Sequence, residues 1–249
     1  MELDLVRALP WNPLSLKMLK QRSYQKEMLD EDNIQKELLY QNLKELEFIN
    51  SYLGGHSISL KGLSGILSDK SKAYTIIDIG CGGGDSLKAI SNSTAQRGIK
   101  IHLTGIDLKQ DCIDYAQHNC KNLEGVFFRC DDFRNAFSDQ NKIDVVHASL
   151  FCHHFKEEEI IEFIKLCSAN KAVFVINDLE RNLFAYYAIK ILTKFFSKSP
   201  LVKNDAPLSV ARGFKKAEWN SILQQAGIKK YSVKNRWAFR HLVIAYPNE

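Results

Sequence analysis

A chain of 249 residues, 45% hydrophobic and 25% charged, has the apolar content for a proper core and reads as one globular domain with additions, free of low-complexity stretches. Its six cysteines, at 81, 112, 120, 130, 152 and 167, never fall as Cys-x-x-Cys, which suits free thiols in a reducing compartment. The formal charge of +5 is uneven, because residues 179–216 hold eight basic side chains against two acids, a patch compatible with nucleic acid, an anionic surface, an acidic small substrate or a solvated face.

The N-terminus, Met1 to Pro10, scatters Glu2, Asp4 and Arg7 among its leucines and lacks the basic start and apolar core of a signal peptide. No uncharged apolar run is long enough to span a bilayer, so the expected location is cytoplasmic. Residues 1–70 are expected to form a helical extension. Within it Asp32-Asn33-Ile34-Gln35 offers a capped start, and Leu38, Leu39, Leu43, Leu46, Ile49 and Leu53 recur at helical spacing before Gly54-Gly55. Such a helix can pack on the domain, cap an active site, or do both. Trp11-Asn12-Pro13 and the stretch from Gly55 to Leu67 read as loop and short helix closing one end of the site.

The next stretch, Thr75-Ile76-Ile77-Asp78-Ile79-Gly80-Cys81-Gly82-Gly83-Gly84-Asp85-Ser86, predicts a buried strand, a tight turn and a helix start. Missing Cβ atoms at Gly80, Gly82 and Gly84 allow a bound molecule to approach the backbone. The dinucleotide fingerprint G-x-G-x-x-G fails here, since Asp85 stands at its third glycine. A helix from Ser86 to Gln96 leads to a strand over Ile101–Asp107. A carboxylate at that strand end can accept from both ribose hydroxyls, so Asp107 signals adenosine without naming the cofactor. After a helix from Gln110 to about Lys121 come a third strand over Val126–Phe133, a fourth over Ile143–Leu150, a helix over Lys156–Ser168 and a fifth strand over 171–177. Leu183–Phe196 is a helix apolar nearly all round; a further helix at 215–226 precedes strands at 230–237 and 239–246, too closely joined to be parallel. The expected fold is therefore α/β: a doubly wound seven-stranded sheet, mostly parallel with an antiparallel last strand, an N-terminal helical extension and a helical cap insertion at about 179–214 within a domain of residues 71–249.

The spacing Gly80-x-Gly82-x-Gly84, preceded by Asp78 and containing Cys81, resembles motif I of the class I S-adenosylmethionine-dependent methyltransferases, and the likeness extends over residues 72–246. It implies S-adenosyl-L-methionine as cofactor, S-adenosyl-L-homocysteine as product, and a Rossmann-like domain. On that resemblance Asp78, Gly80, Cys81, Gly82 and Gly84 lie under the cofactor, Asp107 and Leu108 flank the ribose, Asp131 accepts from the adenine amino group, and Asp132, Phe133 and Ser149 complete the pocket. Paired acids that merely cap a turn are the competing account of Asp131 and Asp132.

Methyl transfer needs the acceptor held in line beyond strands four and five, where Ser149–His154 and Asn177–Arg181 lie. His153 and His154 are the expected general bases, against a structural role at a helix start; Asp178 is a second base, or holds Arg181 or a backbone amide. No catalytic metal is expected, because adjacent histidines should point apart, no third ligand is obvious, and Ser149 replaces the acid that catechol-type enzymes carry. The Asn/Asp-Pro-Pro-aromatic and Pro-Cys motifs of nucleic-acid methylation are absent. The helix at 183–196, with Lys190, Lys194 and Lys198 on one line, and the stretch 207–214 resemble the cap of bacterial small-molecule methyltransferases for phenolic, quinone or polyketide-derived lipids. That implies Tyr186, Tyr187 and Arg212 at the polar end of a hydrophobic acceptor, and leaves room for weak contact with a membrane surface; a core helix with a solvated lysine edge is the alternative. The expected activity is methylation of a small hydrophobic hydroxylated acceptor at oxygen. Carbon methylation of the quinone type and a non-catalytic cofactor-binding protein are the alternatives, while Asp85 and the antiparallel ending disfavour nicotinamide-dependent oxidoreduction.

Overall fold

The computed structural model describes residues 19–31, 33–138 and 142–248, so the expectations at Met1–Pro10, at Trp11-Asn12-Pro13 and for Asp32 lie outside the described residues. Two helices come first, α1 (Lys36–Tyr52) and α2 (Gly55–Ser64). Strands and helices then alternate through β1 (Ala73–Ile79), α3 (Asp85–Gln96), β2 (Lys100–Asp107), α4 (Gln110–Asn119), β3 (Val126–Cys130), β4 (Val145–Ser149), α5 (Glu157–Ala169) and β5 (Val173–Leu179). Two further helices, α6 (Leu183–Phe196) and α7 (Pro200–Arg212), precede α8 (Lys216–Gln225) and the strands β6 (Tyr231–Arg236) and β7 (Arg240–Ala245).

The seven strands form one sheet in the order β3-β2-β1-β4-β5-β7-β6, and only β7 runs antiparallel to its neighbours. Strand order reverses between β1 and β4, which opens a crevice at their carboxyl ends. Apolar runs in the central strands are what a sheet covered on both faces requires. Successive residues alternate between two cores: Ile76, Val145, Val175 and Leu242 pack with α2 and α3, whereas Ile77, Val146, Phe174 and Val243 pack with α5 and α8 around Trp219. Each fully buried Ile or Phe in these layers contributes roughly 1.5–3 kcal/mol.

Local chemistry trims the expected boundaries. The third strand stops at Cys130 rather than Phe133, because the Asp132 carboxylate accepts the Arg134 amide at 2.8 Å and caps a 3-10 turn over Phe133–Asn135. Residues 207–212, expected as part of the cap, lie in α7, which continues through Pro207. Asp205 on that helix accepts the Met28 and Leu29 amides at 2.9 Å each, tying the N-terminal segment to the cap. In α6 the residues Ala185, Ala188, Ile189 and Leu192, spaced three and four apart, turn inward, while Phe184, Phe195 and Phe196 stay exposed.

The hairpin joining β6 to β7 turns on Ala238 (φ 56°) and Phe239 (φ 52°), both left-handed. That conformation costs non-glycine residues on the order of 1 kcal/mol each, and in this three-residue link between Arg236 and Arg240 Asn would tolerate it better than Ala. Ala238→Asn is expected to stabilise the protein by up to about 1 kcal/mol, read as a higher urea midpoint at unchanged slope. A lower midpoint would show that the turn is relieved by contacts of Ala238 itself.

Candidate active site

The glycine loop between β1 and α3 floors a cavity of about 230 Å³ at the sheet's crevice. Gly80 (φ 63°) turns the chain out of β1, and Gly84 (φ 77°) caps α3 so close to α4 that a Cβ there would lie 2.9 Å from Cys120 Sγ. Asp107, at the end of β2, accepts the Gly82 amide at 2.9 Å and the Lys109 amide at 3.0 Å. Burial pushes its carboxyl up from the ordinary range despite those bonds. Each oxygen keeps a lone pair for a further donor. Asp131 lies on the same rim, held low by Asn135 Nδ2 at 2.8 Å, with the Asp132 amide at 2.7 Å on the same oxygen. Phe133 and Phe151, edge to face with centroids 5.2 Å apart, supply an apolar wall. Bare loop, buried acid, rim acid and aromatic wall fit the amino-acid tail, ribose and adenine of S-adenosylmethionine.

A second cavity, about 350 Å³, lies beside the first and shares Leu29, Leu46, Leu150 and His154 with it. Its walls come from α1, the inward stripe of α6, α7 and the β6–β7 turn, and are mostly aliphatic. Leu150 (φ 53°) sits left-handed at the junction, turning the chain from β4 into the 3-10 turn Cys152–His154.

That turn presents both imidazoles to the polar end of the second cavity. His153 Nδ1 donates to Asp178 Oδ1 at 2.6 Å, and His154 Nδ1 donates to Asp30 Oδ1 at 2.9 Å. Between them lies Glu27, with Oε1 3.6 Å from His153 Nε2 and Oε2 3.9 Å from His154 Nε2. Burial drives the Glu27 carboxyl up to about 7, against the opposing pull of His154 and Arg212. The ring centroids are 4.3 Å apart at 33°, which corrects the expectation that neighbouring histidines point apart. Separate carboxylates on opposite sides hold the two rings.

The expected site residues divide between these cavities and other work. Asp78, Gly80, Gly82, Asp107, Leu108, Asp131, Phe133 and Ser149 line the first cavity, and Asp78 also bonds His147 Nδ1 at 2.6 Å in the interior. Gly84 packs behind the loop, Asp132 caps its turn, and the buried Cys81 thiol faces Gly105 of β2. His153 and His154 line the second cavity. Asp178 does not: fully buried, it accepts the His153 amide at 3.0 Å and the Leu179 amide at 2.7 Å, and so orients His153. Arg181, its other proposed partner, pairs with Glu218 instead. Tyr186 and Tyr187 miss the cavity because the inward stripe of α6 runs through 185, 188, 189 and 192; Tyr186 lines a groove with Arg22 and Lys203 on another face. Arg212, expected on the acceptor, donates to the carbonyls of Gln25, His153 and His154 and to Asp30. Sequence patterns missed Glu27, Asp30, Phe151 and Phe239; the only hint was the Glu27-x-x-Asp30 spacing of a capped turn.

The methyltransferase-domain family matches residues 70–227. Among curated proteins none matches the sequence significantly. Of solved structures, the plantazolicin methyltransferase BpumL, in complex with a monoazolic desmethylPZN analog and SAH, is 19% identical with a TM-score of 0.63, over 94% of this chain and 96% of that one. A SAM-dependent methyltransferase from Aquifex aeolicus is 18% identical with a TM-score of 0.56, over 86% and 98%. The CMeT domain of citrinin polyketide synthase is 15% identical with a TM-score of 0.55, over 83% of this chain and 52% of that chain, so the protein spans about half of it. At such identities the likeness concerns the fold. The family match, in contrast, runs from the approach to β1 through α8 and takes in the glycine loop, both strand-end acids and the histidine turn, so the chain belongs to the methyltransferase-domain family and is an S-adenosylmethionine-dependent methyltransferase.

Proposed function

We propose that the protein methylates a small hydrophobic, hydroxylated acceptor at oxygen, with the acceptor's apolar body in the second cavity and its hydroxyl toward Glu27, His153 and His154. The carrying observation is the continuity of the two cavities through Leu29, Leu46, Leu150 and His154. When bound, S-adenosylmethionine supplies an electrophilic methyl group, and Asp107, Asp131 and the Gly80–Gly84 loop are the groups proposed to hold it. Apolar walls desolvate and orient the acceptor, and the imidazole and carboxylate cluster draws off its hydroxyl proton. A volume near 350 Å³ lies at the small end of the roughly 300–1,000 Å³ usual for ligand sites, in keeping with a compact acceptor. No helix among the described residues is long and apolar enough to cross a membrane.

Labelled cofactor with pooled phenolic acceptors should give transfer of label into the apolar fraction. A new methyl group found on carbon by NMR would overturn the assignment to oxygen. Ala188 lines only the second cavity, so Ala188→Trp should raise the acceptor KM at least about tenfold and leave the affinity for S-adenosylhomocysteine unchanged.

A further inference from the structure

Where the acceptor cavity meets the cofactor cavity, two histidines converge with a glutamate more than a hundred residues earlier in the chain. We infer that Glu27, His153 and His154 form a binding site for one divalent transition-metal ion, with Zn2+ as the natural probe. This deepens the acceptor assignment and rests on it only for the ion's role, which is to take the acceptor oxygen as a further ligand while the hydroxyl proton passes to the Glu27 oxygen that does not hold the ion.

One ligand atom from each residue falls within 4.8 Å of the others. Glu27 Oε1 lies 3.6 Å from His153 Nε2 and Oε2 3.9 Å from His154 Nε2, each a few tenths wider than the roughly 3.3–3.5 Å between ligand atoms in tetrahedral zinc with bonds of about 2.0–2.2 Å. Both rings donate from Nδ1 to a carboxylate, Asp178 for His153 and Asp30 for His154. That is the outer arrangement metal-bound imidazoles use: it fixes the tautomer, raises basicity and leaves each Nε2 lone pair free.

Those two lone pairs meet a third acceptor, the Glu27 carboxylate, which is locked in place by Ser209 Oγ at 2.8 Å. With Glu27 ionised, three acceptors face one another, and either a proton or a metal ion must sit among them. Arg212 stands outside the ring of ligands, 3.8 Å from Glu27 and 2.9 Å from Asp30. Three carboxylates touch the imidazoles and one guanidinium touches two of those carboxylates, so the immediate surroundings of the two rings are rich in acids. Two nitrogens and one oxygen suit Zn2+, Co2+ or Fe2+ over Mg2+ or Cu+. All three ligands line the acceptor cavity, so the remaining coordination direction opens onto it, as at catalytic rather than structural zinc sites.

Calorimetric titration of the metal-depleted full chain with Zn2+ should give one equivalent bound with Kd below about 1 μM. His154→Ala and Glu27→Gln should each weaken binding at least about 100-fold, and Co2+ should give visible bands without thiolate charge transfer. No binding at about 100 μM Zn2+, unchanged affinity in both variants, or thiolate bands pointing to the exposed Cys130 would each overturn the site. Should either variant fail to fold, the Co2+ spectrum of the unaltered protein still decides. A parallel titration with S-adenosylhomocysteine separates the two claims: binding of it without Zn2+ removes the metal site alone, whereas Zn2+ binding without transfer to any hydroxylated acceptor removes the acceptor assignment alone.

Discussion

Gly80→Ala should weaken S-adenosylhomocysteine binding about 100-fold or more in calorimetry, a loss near 2.7 kcal/mol. Two physical effects add at this position. Its φ of 63° already disfavours any side chain, and a Cβ there would lie 2.1 Å from Cδ2 and 2.7 Å from Cε2 of Phe151. The ring cannot retreat, since Phe133 and Phe155 pack against it with centroids 5.2 and 4.8 Å away. The loop must move instead, carrying with it the Gly82 amide that Asp107 holds at 2.9 Å. Gly98→Ala is the control, because Gly98 has a similar φ of 67° but nothing within 4 Å of its Cβ site. That variant should lose about 1 kcal/mol of stability and no affinity. If Gly80→Ala binds within threefold of the unaltered protein, the loop is not the cofactor's floor.

The parts of the molecule with a local pattern were legible in the chain. β1, β2 and β3 were each marked by an apolar run ended by glycine or acid, and the antiparallel ending followed from the short link between β6 and β7. Glycine spacing and the acids at 107 and 131 located the first cavity, whose lining includes them. The second cavity was not legible, for two reasons. In α6 the lysine line at 190 and 194 marks one outward edge but leaves several apolar faces to choose from, so phenols drew the assignment to Tyr186 and Tyr187 while the smaller Ala185, Ala188, Ile189 and Leu192 line the space. Glu27 and Asp30 belong to a segment whose only regular element among the described residues is a three-residue 3-10 turn, and Asp30 meets His154 across 124 positions of sequence. No spacing rule reaches that far. Histidine neighbours were expected to point apart; the 3-10 turn and the two anchoring carboxylates bring them side by side.

Arg212→Ala should cost about 3–5 kcal/mol of folding stability, through the carboxylates it leaves behind rather than through any contact with acceptor. The side chain is 6% exposed, and its fork donates to the carbonyls of His153, Gln25 and His154 at 3.1, 3.0 and 2.8 Å and to Asp30 Oδ2 at 2.9 Å. It is the joint between α7, the histidine turn and the N-terminal segment, and it also faces the buried carboxylate of Glu27. Removing it takes the side-chain donor from the Gln25 and His154 carbonyls, while His153 keeps Arg22 at 2.6 Å, and leaves Glu27 and Asp30 without their guanidinium. Arg212→Lys should recover little, because one ammonium cannot span four acceptors in a plane. Chemical unfolding of the two variants, with calorimetry of cofactor and acceptor on the folded fraction, tests this. An unfolding midpoint close to that of the unaltered protein, together with lost acceptor affinity, would return Arg212 to the substrate; a large drop in midpoint for both variants fixes it as the tie that holds the imidazoles where the chemistry needs them.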